Sequence, residues 1–269
     1  MQLALKLTEN AWTKVKQPYI MLSANVWTPL RKLYAKTDAG WHEVWPGQVV
    51  YTHEGTDYNM NAAVAFGNPT IPSDFIFINN GIIGGNAGAA LTSGLFPAGS
   101  TLTIINNGRI QGFGGAGGDF NGDGSINLAG NGGDALVLQF ATALQNLGQI
   151  YGGGGGGAGA EERGGSNDNS APGGGGSGDI PGITNRSAWR PSYFYAANYG
   201  TTEAGGTNDS WPGQGVGGNP GQPGGAFTTP IGSSSIGFTN PGLAGNSIVN
   251  SHFLTSTIGS GSILGPQVS

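Results

Sequence analysis

Asn106-Asn107-Gly108-Arg109-Ile110-Gln111-Gly112 has two relatives within its own chain, Asn79-Asn80-Gly81-Ile82-Ile83-Gly84-Gly85 and Asn146-Leu147-Gly148-Gln149-Ile150-Tyr151-Gly152. The shared order is N-x-G-x-I-x-G, and an alternating apolar stretch precedes each copy, at residues 75–78, 102–105 and 136–144. A strand that enters Asn-Gly, continues through one inward Ile and ends in glycine is a strand-turn-strand unit handing over to a glycine segment. Three copies predict three structurally equivalent layers whose glycine continuations lie side by side.

Those continuations dominate the next part of the chain. Between Gly152 and Gly225, 25 of 74 residues are Gly, gathered at 152–159, 173–178 and 213–225 around two insertions, 160–172 and 179–212. Fixing each backbone unit costs about 1–2 kcal/mol, and glycine buries no side chain in return. Order therefore requires that extended, three-per-turn strands surround one another and bond sideways through their amides and carbonyls. The expected fold is all-β with a polyglycine II helical sandwich. Collagen is excluded, because Tyr151 to Ala160 (YGGGGGGAGA) breaks the every-third-residue rule.

At the other end, Trp12, Val15 and Tyr19 recur as Trp27, Leu30 and Tyr34, and again as Trp41 and Val44. Short alternating bursts between turn residues predict a small N-terminal β-meander repeat. Fifty residues give too small a core for robust independence, so Trp12, Tyr19, Trp27, Tyr34 and Trp41 are candidate docking residues for a partner. A self-contained β domain is the plainer alternative. The chain divides into 1–50 (attachment), 51–150 (β-rich, with the N-x-G-x-I-x-G copies), 151–230 (polyglycine II with loops) and 231–269 (a closing β element).

Composition removes several function classes. Of 269 residues, 54 are Gly and 15 Pro, charged residues are 9%, and no apolar run reaches membrane-spanning length. With no Cys, disulfide staples and Cys-ligated metals are excluded. The net charge of -5 conceals a basic first 50 residues, and no Lys follows Lys36, so the glycine-rich part is no nucleic-acid surface. The opening MQLALKLTENAW lacks the apolar core of a secretory signal, which predicts synthesis in a cytosol and release by lysis.

Chemistry-bearing motifs are sparse. Asp119, Asn121 and Asp123, with Gly124 and Ile126, have calcium-loop spacing, but position 12 is Gly130 and the flanks are glycine, so a solvated turn is the favoured reading. His42, His53 and His252 sit in no catalytic motif, no G-x-S-x-G elbow occurs, and Glu161-Glu162 is a pair within a loop. No enzyme, metal or cofactor is expected. Thr184 to Pro212, in contrast, has the vocabulary of a binding loop, with Trp189, Arg190, Tyr193, Tyr195, Tyr199 and Trp211 among Ser, Gly and Asn. The competing role for these aromatics is to cover the sides of the glycine lattice.

Residues 105–160, with Asn106 to Gly118, Gly130 to Leu136 and Asn146 to Gly157 in order, resemble the glycine-rich tail-fibre proteins and tip adhesins of tailed bacteriophages, T-even-type adhesins included. Ala244 to Val249, Ile258-Gly259 and Leu264-Gly265 resemble the closing element of such proteins. The resemblance implies a virion protein at a tail or fibre tip, whose N-terminal part docks on other tail or fibre proteins, singly or as a homo-oligomer. Distal loops would bind a bacterial outer-surface protein or glycan. A structural connector without receptor contact is the first rival; an ice-binding glycine protein and a glycan-cleaving spike are weaker ones.

Overall fold

The structure is a computed structural model that describes residues 19–23, 26–29, 33–37, 40–45, 48–120, 126–163, 169–184, 197–207, 215–227 and 235–269. Near the N-terminus, β1 (Tyr19–Ser23) pairs antiparallel with β2 (Val26–Pro29), and β3 (Leu33–Thr37) with β4 (Gly40–Trp45). From Gln48 onward the chain winds through five rungs, each giving one strand to each of three parallel sheets.

Rung 1 holds β5 (Gln48–His53), β6 (Thr56–Tyr58) and β7 (Met60–Asn61), followed by α1 (Ala62–Ala65), which Asn61 caps by accepting the Val64 amide. Rung 2 holds β8 (Asp74–Asn79), β9 (Ile82–Gly84) and β10 (Leu91–Thr92). Rung 3 starts with β11 (Thr101–Asn106) and β12 (Arg109–Gln111). It leaves the solenoid through the hairpin β13 (Asp119–Phe120) and β14 (Ile126–Asn127), and returns in β15 (Leu136–Val137). Rung 4 starts with β16 (Thr142–Asn146) and β17 (Gln149–Tyr151). Its excursion contains β18 (Ala160–Arg163), β19 (Asn169–Ala171) and β20 (Ser235–Phe238), and it returns in β21 (Ile248–Val249). Rung 5 holds β22 (Leu254–Ile258), β23 (Ser262–Leu264) and β24 (Gln267–Val268).

Alternation within each rung explains the core. On β8 the burial runs half-buried then buried through Asp74 to Asn79, and β11 repeats the phase, because every second side chain of a strand faces the same way. In-register pairing stacks like on like. Val49, Phe75 and Leu102 form one inward column, Tyr51, Phe77, Ile104 and Leu144 a second, and Ile83, Ile110, Ile150 and Ile263 a third. The motif's single Ile is thus the inward residue of the second sheet. Met60, Leu91, Leu136 and Ile248 close the prism from the third sheet. One edge of the prism is sealed by rings, with Phe66, Phe75, Phe96 and Phe140 in an edge-to-face and tilted series 4.8–5.4 Å apart along Phe66–Phe75–Phe96–Phe140.

The Asn of the motif stacks too. Asn79 Nδ2 donates to Asn106 Oδ1 at 2.8 Å, and Asn106 Nδ2 to Asn146 Oδ1 at 2.8 Å, all three side chains being buried. His53 occupies the same column in rung 1 and reaches the Ile82 carbonyl, 3.3 Å away, with its ring Nε2. The N-x-G steps are therefore corners that turn the chain from the first sheet to the second without reversing it.

Both long excursions leave at one corner, between the second and third sheets. Rung 1 crosses it with Asn59 alone, in the left-handed region (φ 49), whereas rung 3 spends 112–135 there and rung 4 spends 152–247. The glycine segments of these excursions bond to one another, not within themselves. Along 152–158 the amide partners change with a period of three. Gly153 and Gly156 donate to Gly133 and Gly130, Gly154 and Gly157 to Ser177 and Gly174, and Gly155 and Ala158 to Gln222 and Gly225. The carbonyls point three other ways: Gly115 and Gly118 donate to those of 154 and 157, Gly245 and Gly242 to 153 and 156, Gly218 and Gly215 to 155 and 158. Segment 152–158 is thereby enclosed on all sides by other backbone. Segment 173–177 is enclosed likewise, by 112–118, 152–158, 180–183, 198–201, 204–207 and 215–218.

Candidate functional site

The direction of the arms defines two ends. At the base, Gly112 donates to the Tyr151 carbonyl, Gly152 to Leu264, Gly221 to Gly152, Asp179 to Gly112, and Ala135 to Asn246. The turns 178–180, 201–204 and 219–222 all lie there, against the solenoid. At the opposite end the described arms stop at residues 120 and 126, 163 and 169, 184 and 197, 207 and 215, and 227 and 235; the residues between the members of each pair lie outside the described residues.

Described residues next to that far end carry exposed apolar side chains. Ile126 lies on β14 with Leu128 just after it, and Phe238 lies on β20 in the three-stranded sheet β19-β18-β20. Hairpin β13–β14 pairs Asp119 with Asn127 and Phe120 with Ile126, on either side of residues 121–125, which lie outside the described residues. Asp119 itself is buried, and Asn121 and Asp123 lie outside the described residues. No group of three His, Asp or Glu that could hold a metal occurs among the described residues.

Of the aromatic-loop candidates, Tyr199 is described: it is 63% exposed between Asn198 and Gly200, on an outer arm. Trp189, Arg190, Tyr193, Tyr195 and Trp211 lie outside the described residues. In the N-terminal repeat, Tyr19 is in β1, Trp27 in β2, Tyr34 in β3 and Trp41 in β4, with Met21 opposite Trp27 and Lys36 opposite Trp41; Trp12 lies outside the described residues. Sequence patterning does not single out Leu128 or Phe238, and it picks out Ile126 only within the calcium-loop spacing.

The base is anchored by polar contacts that sequence spacing does not show. Arg109 Nη2 donates to Asp179 Oδ1 at 2.8 Å across 70 residues, and Gln111 Nε2 donates to the Thr202 carbonyl at 2.7 Å. Asp179 is nearly buried, its side chain 6% exposed. Removing the cation leaves that carboxylate without its ion partner, so Arg109→Ala is expected to lower stability by about 3 kcal/mol. Chemical denaturation of the variant beside Asp179→Asn measures it.

What these features define first is a class: an all-β protein in which a three-sheet parallel solenoid carries long glycine-rich arms. Within that class the chain belongs to a family, described as phage tail fibre adhesin Gp38, whose model matches residues 47–268. Membership places it with the tail fibre of a virion. The chain is also similar to one in the crystal structure of the gp37-gp38 adhesin tip complex of the bacteriophage S16 long tail fiber, at 19% identity and a TM-score of 0.48, over 85% of this chain and 82% of that one. No curated protein sequence matches it. No helix among the described residues is long and apolar enough to cross a membrane.

Proposed function

We propose that this protein attaches the virion to a bacterial surface receptor through the far ends of its glycine-rich arms. The observation that supports the reading is that the described arms run from the solenoid to ends at 184 and 197 and at 207 and 215, and that Trp189, Arg190, Tyr193, Tyr195 and Trp211 lie in sequence between those ends, outside the described residues. On this reading, segments scattered over more than 100 residues of sequence meet at one surface, where Tyr, Trp and Arg give large contact area at low entropic cost.

The scaffold on this reading is a polyglycine II sandwich. Its support is the three-residue rotation of bond direction along 152–158 and the enclosed segments' restriction to Gly apart from the small Ala158 and Ser177. A lattice tied together sideways is stiff, and stiffness keeps the loops from losing more entropy on binding. Residues 1–50 form the attachment part, in which Trp12, Tyr19, Trp27, Tyr34 and Trp41 dock on another fibre protein at the tip.

The test is a Trp189→Ala, Tyr195→Ala, Trp211→Ala triple variant. Adsorption to host cells is expected to fall at least tenfold while the circular dichroism spectrum and fibre incorporation stay as in wild type. Unchanged adsorption with intact folding refutes the loop assignment, and arm ends found buried against other subunits in a virion map make the protein a connector.

A further inference from the structure

A second surface, away from the arm ends, is built along the corner between the first and second sheets. Gly55, Gly81, Gly108, Gly148 and Gly261 stack there, one per rung, as the floor of an open groove of about 820 Å³, within the range that holds small ligands. Four of the five leave no room for a side chain: a Cβ on Gly108 would run into the carbonyl of Gly81, and one on Gly148 into that of Gly108, whereas Gly55 has open space and a φ of 95°.

The walls are polar and repeat with the rungs. One wall is Asn80, Asn107, Leu147 and Ser260; the other is Thr56, Ile82, Arg109, Gln149 and Ser262. Asn107 Nδ2 donates to Asn80 Oδ1 and Asn80 Nδ2 to Glu54 Oε1, each at 2.8 Å, which fixes the orientation of both amides. The next residue along that wall is Leu147, which has nothing to donate, so the ladder leaves Asn107 Oδ1 directed to an incoming donor. Ser262 is held by the Tyr151 hydroxyl at 2.7 Å, and Arg109 by Asp179 at 2.8 Å. The groove therefore offers oriented hydrogen-bonding groups, and the cation in its wall is already paired.

We propose that this corner groove binds a linear, uncharged surface polysaccharide lying along the solenoid axis. Three features select that ligand. Rungs repeat at about 4.8 Å, near the length of one pyranose residue, whereas an extended peptide repeats at about 3.3 Å and falls out of step. Its apolar side chains are Ile82 and Leu147, one on each wall, with none of the aromatic or Met anchors that protein interfaces enrich. Amides and hydroxyls on both walls match a ligand that presents hydroxyls on both edges. Such a contact would let the virion hold the glycan layer before the arm ends find their receptor.

The experiment is a titration of the full chain with lipid-free O-polysaccharide from a susceptible host, followed by saturation-transfer NMR and calorimetry. Two variants alter exposed wall residues only: Asn107→Ala with Gln149→Ala, and Ser260→Trp to fill the groove. Both are expected to weaken binding at least tenfold with unchanged melting, while the Trp189, Tyr195, Trp211 triple variant binds the polysaccharide as wild type does. No binding by wild type, equal binding by both groove variants, or loss only in the triple variant overturns the proposal. The last outcome would transfer the glycan to the arm ends and leave the adhesin reading standing.

Discussion

Gly156→Ala is expected to unmake the glycine-rich arms and to spare the solenoid. Gly156 sits in the enclosed segment 152–158, donating to Gly130 and accepting from Gly242, and the space where its Cβ would go is occupied by the Ala116 carbonyl. In an ordinary core an added methyl is absorbed by side-chain rotation, at a cost of about 1–3 kcal/mol. Here the obstructing atom is backbone, and the neighbouring arms have no rotamers to change. Displacing one arm lengthens bonds to its neighbours, each shared with further arms, so the cost is expected at or above about 3 kcal/mol, the upper end of that range. Hydrogen exchange checks the location of the damage: amides of 112–118, 130–133, 152–158 and 173–177 should lose protection while those of β8, β11 and β16 keep it. Gly88→Ala is the matched control. Nothing lies within 4 Å of its Cβ position and its φ is not positive, so it should be neutral or stabilise by about 0.4–1 kcal/mol. Equal exchange in the two variants would sink the close-packed description of the arms.

The contrast between Gly156 and Gly88 shows which parts of the molecule the sequence could disclose. N-x-G-x-I-x-G was legible as a repeated layer because each letter has one physical duty: Asn for the buried column, Gly for the tight floor, Ile for the inward face. Rungs 1 and 5 were hidden because the letters changed while the duties did not. His53-Glu54-Gly55 turns the first corner with an imidazole in the Asn column, and Gly259-Ser260-Gly261-Ser262-Ile263-Leu264-Gly265 turns the last with Gly in it. Parallel pairing was hidden for another reason. Rung 4 leaves its second sheet at Tyr151 and enters its third at Ile248, and no local pattern states that residues so far apart belong to one turn of one solenoid. Tyr199 is a further instance. Composition puts it with Trp189 and Trp211 in one aromatic insertion, whereas the bonds of Asn198 and Gly200 make its neighbourhood an arm that runs into the base turn 201–204. Glycine content signals that backbone will meet backbone; which backbone it meets is decided by topology.

Asn106→Ala should be strongly damaging to the solenoid although it removes no apolar side chain. Asn106 is fully buried, accepts from Asn79 Nδ2, and donates both to Asn146 Oδ1 and to the Gln149 carbonyl at 3.1 Å. Alanine removes a donor and an acceptor at once, from the middle of the column. Asn79 keeps a 3.3 Å bond to the Arg109 carbonyl, but the buried Asn146 Oδ1 loses its 2.8 Å partner. A buried group left unsatisfied costs about 1–3 kcal/mol, and with the cavity added the expected loss is about 3–4 kcal/mol. For a chain of this size that lowers the melting temperature by roughly 6–16 °C. His53→Ala makes the comparison informative, since His53 ends the column and contributes one 3.3 Å contact, so its loss should be well under half as large. If the two variants melt together, the column is incidental and the apolar ladders alone hold the rungs in register. If Asn106→Ala melts far below His53→Ala, the amide column is what fixes the register, because a slipped rung would set Asn against Ile.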